Sequence, residues 1–299
     1  MKSGFVSLLG RPNAGKSTLL NHLVGQKVAI VSDKPQTTRT RILGVKHAEQ
    51  GQIVFVDTPG VHRPLHQLNF RMVDAAVQAS KDVDVVTLVV DASENVGQGT
   101  KYLIGLLAKV RAPVILALNK VDLISKPRLL PVIDWFRQQY AFADIVPVSA
   151  LTGDGVAALE AVFWEHLPEG EPLYPDDYLT DQPERTLAAE LVREQVLALT
   201  RDELPFSTAV VVDLFEAPVD RRPLRLFCSI LVERPSQKAI VVGRAGEMVK
   251  AIGIAARKEL EQVFDTPVYL ELHVKVKPDW REDDRVLDSL GLERDRRRR

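Results

Sequence analysis

The sequence predicts an α/β first half, built as a doubly wound and mostly parallel sheet, joined to a smaller α+β domain. Three observations predict it. From residue 1 to 168, short apolar runs alternate with stretches of helical spacing. The first run, Phe5-Val6-Ser7-Leu8-Leu9, opens through a glycine-bracketed loop into a helix that ends at Gly25. Beyond 168 the composition turns to prolines and acids, and after 184 the order becomes helix, two strands, helix, helix, strand.

Composition bounds the rest. The 299 residues suffice for two domains, and 45% hydrophobic with 26% charged residues is the balance of a globular chain. A net charge of −1 gives no global pull toward nucleic acid, so such a partner must be read from local patches. The single cysteine, Cys228, excludes an intrachain disulfide. Met1-Lys2 runs straight into the first strand and leaves no room for a signal peptide, and the most apolar run, 83–90, is too short for a bilayer. A cytoplasmic protein is expected. The six histidines are scattered, and Pro64 separates His62 from His66, so no histidine metal site is expected.

The loop Gly10-Arg11-Pro12-Asn13-Ala14-Gly15-Lys16-Ser17 has the spacing of a phosphate cradle. Glycines let its N–H groups turn inward onto anionic oxygens, and Thr18 continues into the helix. Lys16 can reach the outer phosphates, and the Ser17 hydroxyl can ligate Mg²⁺. A polar stretch follows with Pro35 and Gln36-Thr37-Thr38-Arg39-Thr40, then strands at 42–45 and 53–56. The second strand ends in Asp57-Thr58-Pro59-Gly60. There Asp57 can hold Mg²⁺ through water, and the Gly60 N–H can bond a γ-phosphate.

A helix is expected over 67–80, a strand ending at Asp91, a helix over 97–110 and a strand over 114–118. That strand ends in Asn119-Lys120-Val121-Asp122. The Asp122 carboxylate can accept from N1–H and the 2-amino group of guanine, which adenine does not offer. Asn119 braces the loop, and the Lys120 stem can stack on the base. A helix over 126–140 and a strand over 145–148 lead to Ser149-Ala150-Leu151, where the Ala150 N–H is expected to reach guanine O6. A final helix closes the unit near 167. All these motifs fall at carboxyl ends of strands, where open α/β sheets bind ligands. Their order resembles a Ras-like GTPase domain, over residues 1–168.

Two positions depart from a Ras-like switch. Val61 stands where such proteins place a water-orienting glutamine, so intrinsic hydrolysis is expected to be slow. Asn13 occupies a position that helps bind K⁺ beside the phosphates in some GTPases; a plain turn residue is the competing reading. Lys16, Thr38, Asn13 and Gly60 are the candidate catalytic groups.

Residues 169–184 read as an extended, stiff linker containing Pro172, Pro175 and Pro183. A helix over 186–204, strands over 208–215 and 225–232, a helix, a second helix to 264 and an alternating strand over 268–277 follow. The last two helices are separated by Gly243-Arg244-Ala245-Gly246. A GxxG turn between helices brings backbone N–H groups against phosphates, and an apolar groove beside it can hold unstacked bases. In this order of elements it resembles a KH domain of the bacterial ribosomal type, over 185–278. Lys250, Arg257, Lys258, Lys275 and Lys277 are candidate backbone contacts or a solvated face. A short helix near 285–290 and the arginines of 294–299 end the chain; the tail can touch RNA phosphates or an anionic membrane, or only solubilise.

With the loop, DTPG, NKxD, Ser149-Ala150-Leu151 and GxxG signatures come Lys34-Pro35-Gln36-Thr37-Thr38-Arg39, Val61-His62, Lys275-Val276-Lys277 and Trp280. Together they resemble the Era family of bacterial GTPases of small-ribosomal-subunit assembly, across nearly the whole chain. Thr40 stands where that family usually has histidine, and Arg244-Ala245 replaces the common Lys-Gly. The resemblance implies a KH domain on single-stranded 16S rRNA near its 3′ end. It implies GTP and RNA binding that support one another, and hydrolysis accompanying release from the 30S particle. It also implies a switch threonine that closes on Mg²⁺ with GTP, either Thr38 or Thr37. The alternatives are a mainly non-enzymatic RNA chaperone and a membrane-associated regulatory GTPase. Nothing points to an obligate dimer, so a monomer is expected.

Overall fold

The computed structural model describes residues 1–34, 37–60, 82–108, 110–200, 204–218 and 222–291, without the side chains of 205, 206 and 289. The helix expected over 67–80, Val61 and the terminal arginines lie outside the described residues. The chain divides into two compact units. Among the described residues, one comprises 1–29, 38–60 and 82–181; the other comprises 30–34, 37 and those from 182 to 291.

The first unit is built on a six-stranded sheet in the order β2-β3-β1-β4-β5-β6. Its strands are β1 (Lys2–Gly10), β2 (Ile42–Ala48), β3 (Gly51–Asp57), β4 (Val85–Asp91), β5 (Val114–Asn119) and β6 (Asp144–Pro147). Among these, only β2 runs antiparallel to its neighbour. The helices are α1 (Lys16–Val24), α2 (Gln98–Leu107), α3 (Lys126–Gln139) and α4 (Val156–His166). Near-continuous apolar runs such as Val85–Val89 and Val114–Leu118 are buried, because a parallel sheet is covered on both faces. One cluster, around Val6, Leu20, Phe55 and Phe163, packs α1 and α4 on one face. Another, around Leu88, Leu103, Leu116 and Phe136, packs α2 and α3 on the other.

The stretch expected as a linker is fastened to this unit up to Asp181. Gln52 accepts the N–H groups of Leu173 and Tyr174 on Oε1 (2.8 and 2.9 Å) and donates from Nε2 to the Tyr174 carbonyl (2.9 Å). The Val45 N–H donates to the Leu179 carbonyl (2.9 Å), and the Leu43 N–H to Asp181 Oδ1 (3.2 Å). Tyr174 and Tyr178 stack with centroids 4.6 Å apart. The proline-rich composition does give extended backbone, but backbone groups of β2 and one buried glutamine dock it.

The second unit has α5 (Glu184–Leu199), a one-turn α6 (Leu204–Ser207), β7 (Ala209–Glu216), β8 (Leu224–Val232), α7 (Pro235–Val242), α8 (Glu247–Phe264), β9 (Val268–Val276) and α9 (Asp284–Ser289). Its sheet runs β7-β8-β9, with β8 antiparallel to β7 and parallel to β9. Leu191, Val192 and Val196 of α5 and Ile252, Ala256 and Leu260 of α8 share one core with Leu226, Cys228 and Ile230 of β8. Two polar groups fasten α7 and the stretch after β9 to α6. Trp280, fully buried, donates from Nε1 to the Ser207 carbonyl (2.9 Å), and Gln237 donates from Nε2 to Ser207 Oγ (3.0 Å).

Cys228 lies in this core, and burial first, then nearby Asp213, push its thiol from an ordinary 9.0 up to about 12, against the pull of Arg185. A raised folded-state value means that its contribution to stability is complete below the unfolded value and is lost as pH rises through about 12. The native protein should therefore resist iodoacetamide at about pH 8 and label fully in denaturant, as read by intact-mass spectrometry.

Candidate functional site

The glycine loop occupies the carboxyl end of β1, and its shape is set by its neighbours. Gly15 sits at φ 90°, and a Cβ there would lie 2.2 Å from Nδ2 of Asn119. That side chain, at the end of β5, is 1% exposed. It donates to the Ala14 carbonyl (2.8 Å) and accepts the Ala150 N–H on Oδ1 (2.9 Å). Asn119 thus ties the loop to Ser149-Ala150-Leu151. Ala150, 4% exposed, gives its N–H to Asn119 in this structure, which holds no nucleotide. Leu151 is 78% exposed. Asn13 holds φ 62°, a left-handed geometry that asparagine tolerates. Gly60 lies against the loop, where a Cβ would meet the Pro12 nitrogen at 2.6 Å.

Oxygen ligands gather beside the loop. Ser17 Oγ donates to Asp57 Oδ2 (2.7 Å). The Thr38 hydroxyl lies 2.7 Å from Ser17 Oγ and 3.3 Å from Asp57 Oδ2. Thr37, the competing residue, donates its hydroxyl to the Lys34 carbonyl (2.6 Å) and is not in the cluster. Asp57 is fully buried, and its Oδ1 has no hydrogen-bond partner among the described residues. Burial pushes its carboxyl above the usual range, against the attraction of Lys16 and the bonds from Ser17, Thr38 and Thr58. Lys16, whose Nζ donates to the carbonyls of Gly10 (3.3 Å) and Arg11 (3.0 Å), is pushed down by burial, and Asp57 opposes that. One carboxylate with an open oxygen and two hydroxyls form a hard-oxygen set that fits Mg²⁺, which takes few protein ligands and completes its shell with phosphate and water. No cluster of three or more His, Cys, Asp or Glu side chains suited to a metal occurs among the described residues.

The loop after β5 contains a partner that sequence reasoning missed. Lys120 has φ 64°, and its Nζ lies 2.6 Å from Asp91 Oδ2 at the end of β4. Burial opposes ionisation of Asp91, but hydrogen bonds from Lys120 and Ser93 outweigh it and hold the carboxyl below the usual range. The register pairs Asp91 directly with Asn119, so the neighbouring strand ends carried the signal. Asp122 is exposed in the 3-10 turn Val121–Leu123.

The second unit presents a different site. Gly243 has φ 74°, and a Cβ there would lie 2.6 Å from that of Met248. Ala245 and Gly246 also have positive φ, and no described atom lies within 4 Å of a Cβ at Gly246. The turn leaves its backbone open to approach at the start of α8, with Arg244 exposed beside it. Along α8 runs a groove of about 360 Å³ lined by Val249, Lys250, Ile254 and Arg257 on the helix and Leu270 and Leu272 on β9. Ile254, 61% exposed, was missed; its position one helical turn after Lys250 was the available clue.

Lys275 and Lys277 do not join this groove. Successive strand residues face opposite sides, so Lys275 lies on the face opposite Leu270 and Leu272. Its Nζ is 3.3 Å from Asp213 Oδ2, and that of Lys277 is 2.9 Å from Asp283 Oδ2.

Known proteins fit this geometry. A family model described as 50S ribosome-binding GTPase matches residues 5–120, and a KH domain model matches residues 207–281. GTPase Era of Geobacter metallireducens is 49% identical over 290 residues, covering 97% of this chain and 97% of its own. The chain belongs to the Era family of GTPases. Era of Geotalea daltonii is 50% identical over 291 residues, covering 97% of this chain and 98% of its own. Two solved structures of Era match with a TM-score of 0.94, each over 98% of this chain and 100% of its own. One is a point variant from Aquifex aeolicus bound to GDP and AlF₄⁻, 41% identical. The other is a complex with MgGDPNP and nucleotides 1506–1542 of 16S ribosomal RNA, 42% identical. As an Era GTPase, the chain combines the nucleotide cradle of one unit with the KH turn of the other.

Asn119→Ala removes two buried hydrogen bonds that join two loops. It should lower stability by about 1–3 kcal/mol. Affinity for GTP and GDP should fall together, as calorimetry and nucleotide titration would read.

Proposed function

We propose that this chain is a slow GTP-hydrolysing switch that acts with Mg²⁺, binds single-stranded 16S rRNA near its 3′ end through the KH domain, and assists 30S subunit assembly. It works in the cytoplasm as a monomer. The observation that carries this reading is the Ser17–Thr38–Asp57 oxygen cluster against the glycine loop. It unites a phosphate cradle with a threonine that can respond to the γ-phosphate. The RNA assignment is supported by the open GxxG backbone beside a half-apolar groove, and by the 42% identical Era whose complex includes that rRNA segment.

Each residue then has a task. The backbone of Gly10–Ser17 wraps the phosphates, and the Lys16 ammonium lies against the outer ones. An anion there favours the charged lysine that burial alone disfavours. Ser17, Thr38 and, through water, Asp57 would hold Mg²⁺, which when bound neutralises charge developing on the β- and γ-phosphate oxygens. Asp122 accepts two donors of guanine, Asn119 holds the two loops in register, and Asp91 fixes Lys120 along the base. The Gly60 N–H meets the γ-phosphate. Val61 has no side-chain hydrogen-bonding group for water, so turnover is slow. Asn13 with K⁺ is the arrangement we assign to compensate part of that deficit.

Two substitutions separate the sites. Asp122→Asn turns one acceptor into a donor, so GTP should lose about a hundredfold in affinity and its advantage over ATP, with RNA binding preserved. A variant that still prefers GTP would overturn the base assignment. Arg244→Asp should weaken binding of an RNA oligomer matching the 16S 3′ end, with GTP affinity intact. The logarithmic salt dependence of that binding should flatten by about 0.7 for each phosphate no longer neutralised. RNA binding with unchanged salt slope would remove Arg244 from the interface.

A further inference from the structure

Helix α8 carries a glycine well inside it, Gly253. After proline, glycine is the least favourable residue in a helix interior, because it loses the most backbone freedom on folding. The backbone does not call for it here, since Gly253 is not among the residues with positive φ. Packing does not call for it either. A Cβ at Gly253 would meet one described atom within 4 Å, Cδ1 of Leu272 at 3.6 Å, which is an ordinary van der Waals distance. Gly243, at the GxxG turn, is the opposite case. It holds φ 74°, and its Cβ would lie 2.6 Å from that of Met248. The fold requires glycine at 243 and would accept alanine at 253.

The place of the missing side chain supplies the reason. Gly253 lines the groove beside the GxxG turn. On the helical wall Val249 and Lys250 precede it by one turn, and Arg257 follows it by one turn. Ile254, 61% exposed, lies beside it, and Leu272 faces it from β9. Lys250 and Arg257 are both exposed, and their positions lie about 10 Å apart along the helix axis. Arg257 is held only loosely by Glu261, 3.8 Å away on the next turn. The gap at Gly253 sits between these two cations. A Cβ there would reach from the helix to Leu272 of the facing strand, so its absence keeps the groove open between Lys250 and Arg257.

We propose that Gly253 is a specificity-determining position for RNA: the absent side chain leaves a slot in which one unstacked base lies against the backbone of α8. The inference rests on the function proposed above and names the part of that site that admits a base. Ile254 and Leu272 give the slot apolar walls for the base faces, and Lys250 and Arg257 take the flanking phosphates. Helix stability is given up at this position for access to the base. Alanine would favour the helix and fill the slot, so stability and RNA affinity should move in opposite directions.

The test compares the full chain with its Gly253→Ala variant in thermal unfolding, GTP titration and binding of the 16S 3′-end oligomer. The unfolding midpoint should be equal or higher, and GTP affinity should stay within about twofold. RNA affinity should fall by about tenfold, the order of one base contact. No phosphate contact is removed, so the logarithmic salt dependence should not change, unlike that of Arg244→Asp. Oligomers with a single abasic position then locate the base. At one position the abasic penalty seen in the wild type should vanish in Gly253→Ala, while the other penalties persist. RNA affinity within about twofold of the wild type overturns the slot. So does a loss of affinity accompanied by a lower midpoint, which would make Gly253 a packing residue, and so does a loss that adds to the penalty at every abasic position. A wild type that does not bind the oligomer overturns the parent reading instead.

Discussion

The Asp57 carboxylate is the constraint on which the nucleotide-facing half depends. It is an acid at the end of a buried strand, cut off from solvent. One oxygen is shared by two hydroxyls, and the other has no partner among the described residues. Such a group is unfavourable unless a cation or a proton answers it. Lys16 supplies part of that answer from the glycine loop. The rest is an opening for a small hard cation. Strand β3, the start of α1 and the residue after Thr37 meet at this one carboxylate, so the three pieces cannot be arranged independently.

Asn119 plays the complementary role on the other side of the loop. It makes no use of charge. Its amide nitrogen donates to the backbone of one loop and its amide oxygen accepts from the backbone of another. The loops that leave β1 and β6 are thereby tied to the end of β5. The parallel pairing of these strands puts their carboxyl ends on one edge, and short-range bonds then fix the loops that emerge there.

Much of this was legible in the chain. Strands buried on both faces read as continuous apolar runs, and glycine loops punctuate them, so the order of elements follows from hydrophobic pattern alone. Loop motifs were legible because their spacing is local. What escaped was non-local. Nothing near Lys120 names Asp91 as its partner; only the pairing of β4 with β5 does. The Ala150 N–H bonds Asn119 from another strand end, and Lys275 pairs with Asp213 of a neighbouring element; neither partner is close in sequence. The choice between Thr37 and Thr38 needed coordinates, because adjacent residues point in different directions.

The segment 169–181 has a consequence for how this protein can be divided. Strand β2 is the outer member of its sheet, and its outward N–H groups at Leu43 and Val45 are bonded by that segment. Composition would cut the chain at 168. A fragment ending there would present an uncovered β-edge, a template on which a second chain can add a strand. The smallest self-contained nucleotide-facing unit therefore extends to Asp181, and its proline-rich tail acts as a built-in guard against self-assembly.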